Sequence, residues 1–455
     1  MPFGIYNKAT ISPEVLAMKH PSLLRSVCGL AIPVALQSML QSSFSIIDQI
    51  MLGQLGSVSI AAVGLAGKLT MMLNFLLSAV GAVAGILISQ YLGSQNDPLV
   101  RRSFRVNLYM AMIVAGLFTV LALGLPNLIM GLYSQDTATV REAGIYLRIV
   151  SLSFLPLAVT TLLAAWFRCK EQARLCLYAT IFAAVCNTLL NWVLIFGHWG
   201  LPALGSVGAA WATVISQWIN MLVMLLLSVR IPLPCKTCTA GFNWRQYAAI
   251  ALPMVVCEFA WCLGENVYGA IYGHLGTDPC AAMTLLNPIQ GMMTGALCGL
   301  SQAAGVLVGK QLGAGQEQNA YTISKKLIGY GYVAALVLSL LLIALRGLYV
   351  EIYQVSSQVK VMTQCIILAY AVIAPIKVQN MIVSGGILRS GGKTDYVMWI
   401  DLTGTWLFGV PLGLLSAFVW QLPVYWVYFI LSLEELVRYG ISLVIFRRRH
   451  WMRQL

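Results

Sequence analysis

GAVAGILISQYLG (Gly81–Gly93) and SQAAGVLVGKQLG (Ser301–Gly313) lie 220 residues apart in the chain. Gly85, Leu87, Leu92 and Gly93 of the first meet Gly305, Leu307, Leu312 and Gly313 of the second. Working outward at the same offset, Ala61, Ala62 and Leu65 meet Ala281, Ala282 and Leu285. Gly53, Leu55 and Gly56 meet Gly273, Leu275 and Gly276, and Ala31 and Pro33 meet Ala251 and Pro253. No gap is needed across two apolar runs. Apolar identities recur by chance, but coincident Gly and Pro positions do not, so the chain is an internal repeat.

Both blocks end long apolar runs, and such runs recur along all 455 residues, of which 59% are hydrophobic and 9% charged. Soluble domains carry about 25% charged residues, so most of this surface must face lipid. A transmembrane helix needs about 20 apolar residues. Leu69–Leu92, Val106–Pro126, Ile149–Phe167, Leu175–Gly197, Ala203–Val229, Pro279–Gly309 and Leu327–Leu345 are uncharged runs of that kind. Others contain ionisable residues. The first, Ser26–Ile47, ends at Asp48, the seventh holds Glu258 and Glu265, and the tenth holds Lys377. Leu402–Leu433 is too long for one span and is broken at Trp420-Gln421-Leu422-Pro423. The expectation is an all-α integral membrane protein with twelve spans. No cleavable leader is expected, because the first apolar segment is too long and lacks a small-residue cleavage site.

Lys and Arg set the orientation. With both ends inside, the inner segments hold twenty-one and the outer ones four: Arg141, Arg148, Arg346 and Lys360. Such a bias predicts cytoplasmic termini in a multi-pass protein of the cell (inner) membrane. The net charge of +13 is therefore a topology signal and not a nucleic-acid footprint, and the basic tail Arg447–Arg453 reads the same way. Six spans per repeat put both halves into the membrane in one direction, so their pseudo-twofold axis runs along the membrane normal. The lobes are expected at residues 1–232 and 246–455, joined by a cytoplasmic linker at 233–245 that contains Pro234 and Gly241. A cavity between two such lobes, open alternately to each side, is the physical basis of alternating access. Gly295-x-x-x-Gly299 and Gly305-x-x-x-Gly309 suit close helix packing within one monomer. Pro33, Pro156, Pro253, Pro288 and Pro375 lie inside spans, as bends or as hinges. Most cysteines lie in apolar runs, and Cys235-x-x-Cys238 lacks the second pair or nearby His of a metal site.

Asp48-x4-Gly53-x2-Gly56 followed by Ala61-Ala62 resembles the first-span signature of the multidrug and toxic compound extrusion (MATE) family. So do Gln90-x2-Gly93, Asn187-x3-Asn191 with Phe196-Gly197, and Leu388-Arg389-Ser390-Gly391-Gly392-Lys393-Thr394. The region from Glu258 through Trp261 to Gly276, and the ending Arg449-x-Trp451-x-x-Gln454-Leu455, look most like the DinF-like bacterial branch. The resemblance implies export of organic, often cationic compounds or drugs, driven by inward flow of protons or sodium ions. It implies no enzyme activity and no prosthetic group.

A carboxylate inside a span costs roughly 2.5–3.5 kcal/mol on insertion scales and is a functional-site hypothesis by default. Asp48 can hold a proton or face a cation, but not comfortably both, which is the logic of an antiporter. The alternative is a structural acid near the outer interface. Gln41 shares a helix face with Asp48, as Asn187 does with Asn191. The resemblance groups these four as the proton- or ion-coupling site. Where some members carry a second acid, this chain has Asn191, which favours protons over sodium. In the second lobe Glu258, Glu265, Asp401 and Tyr268 (the repeat partner of Asp48) are the candidate substrate contacts. A family branch pairs a span-7 Glu with a span-10 Asp, but the corresponding position here reads as Val378. One of the two glutamates could instead pair with Lys377, and Glu434 and Arg438, four apart, are expected to neutralise each other.

The expected function is proton-coupled export of organic cations. Sodium coupling is one alternative. Another is a flippase of lipid-linked precursors, which needs cationic groups in the cavity, where the acids outnumber Lys68 and Lys377. An intramembrane enzyme would need paired Asp motifs or a His-centred site, and His20, His198, His274 and His450 all fall at span ends or outside.

Overall fold

In lipid every backbone polar group must be paired within the protein, which leaves helices or closed barrels. A computed structural model describes residues 23–133, 136–229, 231, 233–234, 243–351, 353 and 355–455, and its regular structure is helical. The linker cysteines and most of the expected linker lie outside the described residues.

Spans 1 to 6 are Leu23–Gly53, Ser57–Gly93, Asp97–Gly124, Thr137–Cys169, Ala173–Phe196 and Ser206–Ser228. Spans 7 to 11 are Trp244–His274, Thr277–Gly313, Glu317–Glu351, Ser357–Leu388 and Thr394–Val419. The twelfth comes in two pieces, Val424–Ser432 and Glu434–Arg448. At 9 and 15 residues, each piece is too short to count by itself among the eleven helices of the described residues that are apolar and long enough to cross. Many helices outrun the apolar stretches that announced them. Span 4 begins twelve residues before Ile149, and a short 3₁₀ turn, Ser151–Ser153, lies within it. Asp136 caps that helix by accepting from the backbone N–H groups of Ala138 and Thr139, so the start was marked by an N-cap residue and not by hydropathy.

The repeat survives in detail. Spans 2 and 8 are both 37 residues long and start 220 residues apart. Each is preceded by a glycine at positive φ, Gly56 (φ 101) and Gly276 (φ 119), a backbone state that disfavours other residues. Spans 1 and 7 are both 31 residues long, and Pro33 and Pro253 lie inside them without ending the helix. Burial is inverted relative to a soluble protein. On span 3, Tyr109, Ile113, Leu117 and Val120 are exposed, while Ala111, Ala115, Phe118 and Ala122 are buried against neighbours. On this span the buried positions are mostly alanines and the outward ones are large and apolar, as expected where the solvent is lipid.

Two large buried clusters form, mainly from the N-lobe and C-lobe spans respectively. Spans 1, 2, 7 and 8 join them. Gly295 and Gly299 of span 8 press against Ser38 and Ala31 of span 1, and a Cβ at Gly299 would enter the Ala31 carbonyl. The small-residue motif therefore serves packing within the molecule. At the end bearing the turns 94–96 and 314–316, spans 2 and 8 cross backbone to backbone. A Cβ on Gly93 would strike the Lys310 carbonyl, and one on Gly313 the Gln90 carbonyl. The Gln90 amide donates to the Ser390 carbonyl (2.6 Å) and the Arg453 carbonyl (3.1 Å), and accepts from the Leu455 N–H (2.9 Å). Gln454 donates to the Gly313 carbonyl (2.9 Å), Glu171 pairs with Lys310 (2.5 Å), and Tyr247 donates to Asn107 (3.1 Å). This end of the lobe interface is closed.

Spans 10 and 11 contain π-helical turns, at Val383–Leu388 and at Thr403–Gly409 with Leu415–Val419. Such turns are frequent at functional sites, and no sequence signal announced them.

Candidate functional site

Two polar sites lie within the spans, one per lobe. In the N-lobe, Asp48 near the end of span 1 accepts a hydrogen bond from the Asn191 amide of span 5. The same amide reaches Asn187 Oδ1 (3.3 Å), one turn earlier, and Asn187 Nδ2 donates to Ser216 Oγ on span 6 (3.1 Å). Asn187 and Asn191 share a face through their four-residue spacing, so one helix links spans 1 and 6. Tyr146 of span 4 is close enough to interact with both Asp48 and Thr213. Asp48 has no ion pair among the described residues, and Asn191 Oδ1 is buried without a hydrogen-bond partner. Of the four expected coupling residues, three converge. Gln41 does not join them. It lines a cavity of about 400 Å³ between the lobes, with Gly81, Gly85, Thr161, Arg168 and Gln302 among the walls. Two turns of helix place Gln41 on the interlobe side while Asp48 reaches span 5.

Near the same end of the N-lobe, Glu142 of span 4 accepts from Ser59 Oγ and Ser206 Oγ (2.6 Å each). The sequence reading missed this carboxylate because it assigned residue 142 to a loop. The Asp136 cap was the available signal.

The C-lobe acids are mostly committed to internal cations. Asp401 of span 11 pairs with Arg438 of span 12 and accepts from the Cys257 thiol. Arg438 also lies 3.7 Å from Glu435 and 4.0 Å from Glu434. The expected two-residue Glu434–Arg438 neutralisation is thus corrected to a three-acid cluster around one guanidinium. Glycines make it possible: a Cβ on Gly404 would occupy the space of the Arg438 side chain, and one on Gly409 that of Tyr268 and Glu434. Glu258 lies 3.8 Å from Arg389, a residue expected in the loop before span 11. Lys377 faces Glu435 at 4.0 Å, so neither span-7 glutamate is its ion-pair partner. Tyr268 donates to Glu434 (2.5 Å) and is buried, and Asn380 donates to Glu435 (2.7 Å). Glu435 and Arg389 were absent from the expected site. Glu435 could have been found from its place beside Glu434 in an otherwise apolar span.

Glu265 differs from these acids. It makes no hydrogen bond or ion pair among the described residues and is exposed to a cavity of about 290 Å³ inside the C-lobe. A second cavity of about 370 Å³ between the lobes is walled by Glu258, Glu265, Lys68, Phe75 and Phe259. Among the described residues no group of three or more His, Cys, Asp or Glu could hold a metal ion.

These features have known counterparts. The MatE family model matches residues 33–193 and 253–415, one block in each lobe. A multidrug resistance protein NorM of Burkholderia vietnamiensis is 26% identical over 422 residues, covering 88% of this chain and 89% of that relative. A probable NorM of Bacillus thuringiensis subsp. konkukian is 23% identical over 433 residues, covering 90% of this chain and 92% of the relative. A solved multidrug resistance MATE transporter of the MOP superfamily, in an outward-facing conformation, matches with a TM-score of 0.84 at 17% identity. That match covers 95% of this chain and 98% of the other, and it speaks for the fold. With a family block in each lobe and a transporter's two-lobed helical fold, this chain belongs to the MatE family of multidrug efflux transporters and is not an enzyme.

Proposed function

We propose that the protein is a secondary active antiporter that exports organic cations by alternating access, with Asp48 as the site of the coupling proton. The observation that carries this reading is the uneven pairing of the intramembrane acids. Asp401, Glu434, Glu435 and Glu258 each face an arginine within 4.0 Å. Asp48 has the Asn191 amide and Tyr146 beside it and no cation among the described residues. A carboxylate without a counter-ion in a low-dielectric site is the group that gains most from binding a proton or a cation. Asn191, where some relatives of this kind carry a second acid, leaves a single charge there. Glu265, equally unpaired, is the group available to attract cationic cargo. The closed end lies beside Arg101, Arg102, Arg168, Lys170 and Lys310, so by the positive-inside rule it faces the cytoplasm and the cavity opens outward. No prosthetic group enters the cycle, and a monomer in the bilayer suffices for it.

A second reading is favoured by one atom. Asn191 Oδ1 is buried without a partner, and with Asp48 it offers a sodium ion two oxygen ligands of the hard type that ion prefers.

Efflux of a fluorescent cationic dye from proteoliposomes under an imposed proton or sodium gradient separates the two. Under the proton reading, a proton gradient alone drives efflux, and Asp48→Asn lowers the rate by at least about a hundredfold, the size of effect typical when an essential proton-transfer group is lost. Efflux driven by sodium alone makes the ion sodium. Efflux that persists in Asp48→Asn removes Asp48 from coupling under either ion.

A further inference from the structure

Three stretches that the sequence singles out take no part in the two polar sites as coupling or binding groups: Gln90 to Gly93, the glycines after Arg389, and Arg449 to Leu455. The fold brings them together at the closed end. Span 12 stops at Arg448, and Arg449 turns the chain in a left-handed conformation (φ 59). Its guanidinium lies over the Tyr321 ring of span 9, 4.0 Å from the centroid. Two residues on, Trp451 is fully buried. Its ring stacks on Phe446, which stacks on Tyr321, and its indole N–H donates to the Phe446 carbonyl (3.2 Å). Gly391 lets this turn close, because a Cβ there would overlap the Trp451 carbonyl. Residues 449–451 are thus fastened to the C-lobe, and Gln454 adds its bond to Gly313 of span 8.

The tip of the same segment reaches the N-lobe. Gln90 of span 2 is buried, and its amide donates to the Arg453 carbonyl and accepts from the Leu455 N–H. With its other donor on Ser390, a buried N-lobe side chain spends both its donors and its carbonyl on C-lobe backbone. The Leu455 side chain sits between Gly392 of the C-lobe and Leu87, Tyr91 and Leu99 of spans 2 and 3, beside a cavity of about 160 Å³. A segment rooted in one lobe and bonded to the other cannot stay in place when the lobes part at this end. We propose that residues 449–455 are a strap that latches the cytoplasmic side shut, with Trp451 as its fixed root and Leu455 as its releasable tip. Inward opening requires the tip to leave Gln90 and its apolar seat while the root travels with the C-lobe. The tip is suited to release, because two hydrogen bonds and one leucine contact exchange readily for water and lobe-to-lobe separation. The consequence for loading rests on the alternating-access reading; the geometry of the strap does not.

Amide hydrogen exchange on the purified protein tests the latch without any transport. Deleting residues 453–455 is expected to speed exchange over residues 86–93 and 306–313 by about tenfold, the loss of one or two net hydrogen bonds. Residues 175–195 of span 5, far from the seam in the chain, should keep the parent rate. Arg453→Ala should exchange like the parent throughout, since Gln90 holds the backbone carbonyl of that residue and not its side chain. Parent-like exchange in the deleted protein overturns the proposal. So does acceleration spread evenly over both lobes, which would make the segment a general part of the fold. Elution volume identifies a deleted protein that has not folded. In that case Leu455→Asp decides by the same two outcomes, because it keeps the Trp451 root and puts a charge into the apolar seat. Dye efflux, run in parallel, reads the consequence. A tip released more often raises the fraction open to the cytoplasm and lowers the apparent KM by about threefold or more. An unchanged KM beside faster local exchange would mean that the strap braces the seam without gating it, and overturns the proposal as well. A parent protein that exports no dye counts against the export reading and leaves the exchange rates to judge the strap.

Discussion

Arg438 is the side chain on which the C-lobe's charge balance turns. Three carboxylates, Asp401, Glu434 and Glu435, lie within 4.0 Å of one guanidinium, and Lys377 faces one of them, Glu435, at 4.0 Å. Removing one partner of a buried pair leaves uncompensated charge and costs about 3–5 kcal/mol. Arg438→Leu is accordingly expected to lower the melting temperature of the purified protein sharply, and Asp401→Asn in that background should recover part of the loss. An Arg438→Leu protein that melts like its parent would contradict the cluster. The asymmetry between lobes was partly visible beforehand. Asp48 and Tyr268 occupy equivalent repeat positions but different chemistry, and the grouping of Asn187 and Asn191 with Asp48 came from the family resemblance. What spacing could not show is that Gln41, on the same helix face as Asp48, turns to the interlobe cavity while Asp48 engages Asn191. Seven residues make close to two full turns, but a long amide and a short carboxylate on one stripe can serve different neighbours.

At the scale of the element, spans 2 and 8 decide how the lobes meet. Gly93 and Gly313 are related by the repeat, and each admits the other span's backbone where a methyl group would collide. Gly313→Ala should therefore loosen the closed end. The readout is faster amide hydrogen exchange over residues 86–93 and a lower melting temperature, by the amount usual for overpacking, about 1–3 kcal/mol. Gly85→Ala, whose added Cβ meets nothing within 4 Å, serves as the control and should change neither. If both substitutions behave alike, the crossing is not as tight as described. The existence of these elements was legible because lipid demands long uninterrupted apolar helices. Their ends were less so. Span 4 starts at Thr137 because a capping aspartate starts it, and span 12 is divided around Leu433, where the uncharged run gives way to Glu434 and Glu435. The π turns of spans 10 and 11 are the least legible features, since they depend on how the widened backbone fits Arg438, Tyr268 and the neighbouring helices.

For the molecule as a whole, closure at one end is a sum of modest contacts between lobes: the Gln90 amide, Gln454, Tyr247 on Asn107, and the Glu171–Lys310 pair. The ion pair is partly exposed, at 24% and 40% of the side chains. Exposed pairs contribute about 0–1 kcal/mol and weaken as salt screens them. Glu171→Gln is expected to change efflux rates by less than about fivefold at low salt, with the difference vanishing near 1 M salt. A large, salt-independent effect would show that the pair holds the closed end by itself. Modest contacts suit a transporter, because an interface that must open repeatedly cannot be held by one strong bond. The repeat, the span count, the helical class and the place of Asp48 within a span were all determined by the sequence on its own, since each follows from local composition or from identities at a set offset in a solvent that permits little else. Which acid meets which arginine, how the residues after span 12 reach the N-lobe, and which end of the interface is shut were decided only by tertiary structure. Those facts depend on angstrom-scale distances between helices far apart in the chain, and helix packing, not sequence spacing, sets such distances.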